Sequence, residues 1–211
     1  MEIQRERTRI FFRGFGRTVA VAMSLALLGA TPAVLAQTEE SRGLDWEGSI
    51  LFGFLGGNEF HFEKSGLDVG LGRLTVFGFE GGAKLNDYLT ANFIVFVGKA
   101  TFYRLENSSI TMSSFPSGLF INAEFQAMKF NVSPVVSAGV GFLEFKNAST
   151  EYFISMFQNA FCLTFRWGIG LRLTLPSRFF IKVLYESYRT KYPDTSGPLV
   201  INGIMLRFGR G

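Results

Sequence analysis

One cysteine and one histidine are all that this chain offers to disulfide or imidazole chemistry. A single thiol, Cys162, cannot close an internal disulfide, so a small secreted fold held by such bridges is excluded. The lone His61 falls short of the several N or S donors that a zinc site usually gathers. Beyond the N-terminal region there is also no apolar run of the ~20 residues that a membrane-spanning helix requires. Yet mean hydropathy is +0.23 and 25 residues are Phe. A chain this greasy without a greasy run must space its apolar residues apart.

The basic balance is confined to one end. Arg5, Arg7, Arg9, Arg13 and Arg17 precede an apolar core over residues 18–28, and Ala33-Val34-Leu35-Ala36 offers small residues for cleavage before Gln37. This is the pattern of a secretory signal peptide over residues 1–36, and no Cys follows it to carry a lipid anchor. Its removal takes five Arg and two Glu from the 21 basic and 17 acidic residues, leaving 16 and 15 in a mature chain of 175. The formal charge of +4 is therefore no argument for nucleic acid, and none is expected as a partner.

What the mature chain has is alternation. Phe161, Leu163, Phe165, Trp167, Ile169, Leu171, Leu173 and Leu175 share one parity; Cys162, Thr164, Arg166, Gly168, Gly170, Arg172 and Thr174 share the other. Neighbouring side chains of a strand point to opposite faces, so this segment is a ribbon with one apolar and one polar or small face. A polar leader over residues 37–45 precedes the first strand, which runs from Trp46 to a stop at Gly56-Gly57-Asn58. Further strands are predicted near residues 74–85, 89–102, 119–130, 135–145, 179–188 and 199–208, giving eight with the 161–175 ribbon. In the strand near residues 89–102, Ile94 and Phe96 depart from the apolar parity.

The connections alternate in length. Short turns are read at Asn86-Asp87, at residues 131–134 and at residues 176–178; long loops at residues 59–72, 104–118, 146–159 and 189–198. Short turns on one side and long loops on the other, with an even strand count, are the habit of outer-membrane barrels. The fold class expected is all-β: an eight-stranded antiparallel up-and-down transmembrane β-barrel over residues 46–208.

The alternation could place either face outward, and three observations decide. Eight strands enclose a space that side chains only just fill, too small for every large apolar group counted above. The opposite parity mixes Gly78, Gly82, Gly139, Gly141, Gly168 and Gly170 with charges, which suits a crowded lumen. Strands of about ten residues, tilted ~45°, also cross a ~25 Å apolar band. The lumen is then expected to hold Glu47, Glu80, Lys84, Glu124, Arg166, Arg172, Lys182, Glu186 and Arg207, four acids and five bases. Charges in so narrow a space must pair, and a solid ionic plug is expected over a polar conduit.

Two further features carry a resemblance. Gly139-Val140-Gly141-Phe142 and Gly168-Ile169-Gly170 are glycine-spaced strand centres, and residues 201–208 end in Gly203, Leu206 and Phe208. The chain resembles the small outer-membrane β-barrel family that includes the transmembrane domain of outer membrane protein A, outer membrane protein X and the opacity-type adhesins. Gly203, Leu206 and Phe208 match that family's C-terminal signal for the barrel-assembly machinery; Ile201 stands where a polar residue is usual, and Gly209-Arg210-Gly211 extends past the usual terminal Phe. The resemblance implies the outer membrane, its lipids and lipopolysaccharide as surroundings, and the assembly machinery as a partner during biogenesis.

Catalytic chemistry is scarce. Acyl transfer needs a nucleophile and a base within reach, and only Ser65, His61 and Glu63 could be drawn together. Their similarity to a lipid A deacylase is superficial, since His61 falls in a loop and not on a lipid-facing strand. No catalytic, cofactor-binding or metal residue is therefore expected, and no cofactor. The long loops, with Phe115, Tyr152 and Tyr192, are the candidates for contact with an extracellular ligand. The function expected is structural, in envelope integrity or loop-mediated adhesion; a narrow pore and a lipid A-modifying hydrolase are the alternatives.

Overall fold

The computed structural model describes residues 45–63, 66–105, 111–127, 131–148 and 160–211. The expected signal peptide and all of the leader except Asp45 lie outside them. Nine strands follow in chain order: β1 (Asp45–Gly57), β2 (Glu59–Phe62), β3 (Leu67–Lys84), β4 (Leu89–Arg104), β5 (Thr111–Gln126), β6 (Val132–Ala148), β7 (Ala160–Thr174), β8 (Phe179–Thr190) and β9 (Leu199–Arg210). Apart from β2, each strand pairs antiparallel with its chain neighbours, and β9 returns to β1. That closes an up-and-down barrel of eight strands. β2 continues β1 beyond Asn58 and pairs with the start of β3.

The register sets the barrel's shape. Leu55 pairs with Gly203, Gly203 with Glu186, Glu186 with Gly168, and Gly168 with Ser137. Ser137 pairs with Glu124, Glu124 with Thr90, Thr90 with Lys84, and Lys84 with Asp45. One circuit thus returns to β1 displaced from residue 55 to residue 45, a stagger of 10 residues. At ~3.3 Å per residue against eight spacings of ~4.8 Å, that stagger tilts the strands by about 40°. The interior of such a barrel is just filled by side chains.

The outer wall is apolar. Ile50 and Phe54 on β1, Phe77 and Phe79 on β3, Ile121 on β5, Val136 and Val140 on β6, Val183 on β8 and Ile204 on β9 are all exposed. On β7 the apolar parity from Phe161 to Leu173 is exposed while Cys162, Thr164, Arg166 and Arg172 are buried. Ile121 is 72% exposed and Leu163 69%, which a water-facing surface of this extent would not tolerate. Against acyl chains these side chains are at home, and backbone polar groups are satisfied by a closed sheet. The barrel is a transmembrane one.

Several strands run further than the alternation suggests, while β5 stops at Gln126 and β7 at Thr174, short of the expected ends at 130 and 175. The polar loop expected at residues 59–72 is a hairpin of β2 and the start of β3, because Phe60, Phe62, Val69 and Leu71 turn inward and are buried. β5 starts at Thr111, inside the Ser-rich stretch expected to be loop. β6 starts at Val132, so Ser133 and Pro134, expected in a turn, pair with Arg172 and Leu171. Residues 146–148 and 189–190 are strand rather than loop, and β9 extends to Arg210. Residues 149–159 lie outside the described residues. The turn at Asn86 is built by its side chain, whose Oδ1 accepts from the backbone N–H of Tyr88 (2.8 Å) and Leu89 (2.9 Å).

Candidate functional site

The lumen has two parts, stacked along the barrel axis. Toward the short turns it is ionic. Lys182 on β8 has its Nζ 3.1 Å from Glu47 Oε1 on β1, 3.0 Å from Glu80 Oε1 on β3 and 2.6 Å from Glu124 Oε1 on β5. Glu47 also accepts from Arg172 Nη1 at 2.8 Å. Arg207 on β9 joins Glu80 and Glu186, and Arg166 on β7 grips Glu186 through Nε at 3.0 Å and through Nη2. Arg166 Nη1 donates to Asn122 Oδ1 at 2.7 Å, and Tyr188 donates its hydroxyl hydrogen to Glu186. Arg166, Lys182, Glu186 and Arg207 are 0% exposed. Four carboxylates thus meet four cations, and one network ties β1, β3, β5, β7, β8 and β9 together.

Small residues make room for it. A Cβ at Gly139 would collide with Asn122 Oδ1, the atom that holds Arg166. One at Gly168, cross-strand from Glu186, would press on Glu186 Cγ at 3.2 Å. Phe180 lies against the cations, 4.1 Å from the Arg172 guanidinium carbon and 4.9 Å from Lys182 Nζ.

Toward the long connections the lumen turns apolar. Phe96 stacks on Phe120 at 5.8 Å, and both meet the ring of Tyr188 edge-on at 5.9 and 5.4 Å. Above them Phe102 contacts Phe60 (6.2 Å) and Phe145 (6.1 Å), while Tyr192 contacts Phe62 (5.9 Å) and Phe145 (5.8 Å). Burial raises the Tyr192 hydroxyl above its usual range. The hairpin is fastened over this cluster by backbone bonds, Glu63 N–H to Asp194 O (2.9 Å) and Ser196 N–H to His61 O (3.1 Å). Tyr188 joins the two parts, its ring in the aromatic stack and its hydroxyl on Glu186.

Of the nine expected lumen charges, Glu47, Glu80, Glu124, Arg166, Arg172, Lys182, Glu186 and Arg207 converge in the network. Lys84 is half-buried at the end of β3 and makes no ion pair among the described residues. Gly203 faces the lumen side of β9, and Phe208 and half-buried Leu206 face the lipid side. His61 is hydrogen-bonded through Nδ1 to Asp68 Oδ1 (2.9 Å) on the exposed side of the hairpin, and Ser65 lies outside the described residues. Asn122, Phe180 and Tyr188 belong to the network without having been expected there; Asn122 and Tyr188 share the parity of Glu124 and Glu186, which is the signal that could have found them.

No protein-family model matches the chain, and no curated protein does. Among solved structures it is similar to OprG of Pseudomonas aeruginosa, with 13% identity over 79% of this chain and 96% of that chain and a TM-score of 0.49. It is similar to the N-terminal β-barrel domain of OprF from the same organism, with 14% identity, 76% and 96% coverage and a TM-score of 0.43. It is also similar to Ail, the attachment invasion locus protein of Yersinia pestis, with 16% identity, 79% and 99% coverage and a TM-score of 0.41. The likeness is one of barrel architecture.

Proposed function

We propose that the chain is exported through a signal peptide over residues 1–36, is inserted by the barrel-assembly machinery through the Gly203, Leu206 and Phe208 pattern, and serves as a closed structural barrel of the outer membrane. Its work is mechanical and presentational: it holds a rigid wall among outer-membrane lipids and lipopolysaccharide, and offers the β2–β3 hairpin and the neighbouring connections to extracellular contact. The observation that carries this reading is the filling of the lumen, a charge-balanced layer covered by an aromatic one. Paired buried charges and packed rings hold position rather than conduct.

A narrow pore is the second reading. Ser49 Oγ, Asn92 Oδ1, Asn122 Nδ2, Ser137 Oγ, Arg172 Nε and Arg207 Nε have no hydrogen-bond partner among the described residues, and such atoms favour water in the ionic part. Refolded full-length protein in a planar bilayer separates the two. A folded species that migrates differently before and after boiling, with a silent current trace, is expected. A steady unit conductance overturns the closed role in favour of the pore. A chain that stays monodisperse without detergent overturns the membrane barrel itself.

A further inference from the structure

We propose that Arg73 and Lys99 form a binding site for the phosphate of an anionic membrane lipid, on the outer wall at the long-connection border of the apolar belt. This rests on the outward orientation of the apolar wall argued above.

The site begins with a backbone irregularity. The β3–β4 register passes from Leu71↔Phe102 to Arg73↔Thr101, so Gly72 is an inserted residue. On the far side of the bulge Val69 and Leu71 face the lumen; on the near side Leu74 and Val76 do. Without the insertion Arg73 would continue the parity of Val69 and Leu71 into the lumen. The bulge turns it out onto the lipid-facing wall instead, a use to which bulges are commonly put.

Lys99 arrives from the next strand. It continues the outward parity of Phe93, Val95 and Val97 on β4 and is the first charged residue along it. Thr75 pairs with Lys99, and Arg73 with Thr101, so Arg73 and Lys99 are diagonal neighbours on one face. Diagonal positions lie roughly 7–8 Å apart at Cα, within the joint reach of two long side chains on one phosphate. The Arg73 guanidinium lies over the ring of Phe54 at 5.1 Å, along the wall. Tyr103 lies across the same surface: a Cβ at Gly70 would collide with its ring.

Charge makes the choice of occupant. Neither cation meets a carboxylate among the described residues, whereas Lys146 on the same wall is held by Glu144 at 3.2 Å. Bare cations beside hydrocarbon are costly unless an anion joins them, and the anion found at that depth is a lipid phosphate.

The test is native mass spectrometry of the refolded full chain in detergent micelles, titrated with lipid A and with its dephosphorylated form. Arg73→Ala and Lys99→Ala are each expected to weaken retention of lipid A about fivefold, with Arg73→Lys close to the parent. Arg210→Ala serves as the charge-matched control, since Arg210 also lies over an aromatic ring, Phe179 at 5.6 Å, at the opposite border. Equal loss in Arg210→Ala, unchanged retention in the two variants, or equal binding of dephosphorylated lipid overturns the site. Displacement by millimolar inorganic phosphate overturns the lipid in favour of the free ion. A boiling-dependent gel shift that survives in all variants separates failure of this site from failure of the barrel reading.

Discussion

The two parts of the lumen solve one packing problem with opposite chemistry. Beneath Tyr188 the space is filled by ions whose bonds are directional and specific: Lys182 reaches three strands at once, and Arg207 joins Glu80 and Glu186 closely and Glu124 at 3.8 Å. Above it the space is filled by volume, with Phe96, Phe120, Phe102 and Phe145 in edge-on or stacked contact. A one-residue slip of a strand would exchange its lumen and lipid faces, and an ionic layer penalises that error more than an apolar one does. Rings tolerate small adjustments, whereas a carboxylate left without its cation does not.

The largest effect is therefore expected from the ionic layer. Lys182→Met removes the cation shared by Glu47, Glu80 and Glu124, and breaking a buried pair in this way costs roughly 3–5 kcal/mol. The readout is the urea midpoint at which refolded protein loses its unboiled gel mobility. Glu124 has the shortest contact with Lys182, 2.6 Å, so the double variant Lys182→Met/Glu124→Gln is expected to recover about half of the loss. An unchanged midpoint in Lys182→Met would mean that water, not pairing, neutralises these charges.

A smaller loss is expected in the aromatic layer, and it has a built-in control one residue away. Phe120 is fully buried and Ile121 is 72% exposed on the opposite face of the same strand. Phe120→Ala is expected to cost about 3 kcal/mol, the low end for such a truncation, because Phe96 and Tyr188 can lean into the space. Ile121→Ala should change the urea midpoint by well under half as much, since acyl chains fill what the side chain leaves. Equal losses from the two would break the assignment of inside and outside.

The strand count and the outward face were readable because alternation is a local signal and the membrane sharpens it. From Phe161 to Leu173 every second residue meets lipid. The hairpin of β2 and early β3 was not readable, for a physical reason: beyond the membrane the sign of the alternation reverses. There Phe60, Phe62, Val69 and Leu71 point inward while Glu59, His61 and Asp68 point to solvent, so a strand looks like a polar loop. Ile94 and Phe96, off-parity in the sequence, are the first residues of the apolar lumen layer. Which charges share the lumen could be read strand by strand. Who pairs with whom could not, because Glu47 and Lys182 lie 135 positions apart and meet only through the stagger of the closed barrel.

The seam between the layers gives the finest discrimination. Tyr188→Phe keeps the ring that packs on Phe96 and Phe120 and removes only the hydroxyl that donates to Glu186. Glu186 still holds Arg166 and Arg207, so the carboxylate stays paired, and the loss should be about 1 kcal/mol, that of one hydrogen bond. Tyr188→Leu keeps an apolar group but loses the ring as well, and should cost more than Tyr188→Phe on the same urea measurement. If the two variants lose the same amount, the hydroxyl carries the whole contribution of Tyr188, and the aromatic layer is then independent of the ionic one. If Tyr188→Phe loses nothing, the layers are joined by ring packing alone, and the Glu186 carboxylate is satisfied by its two arginines.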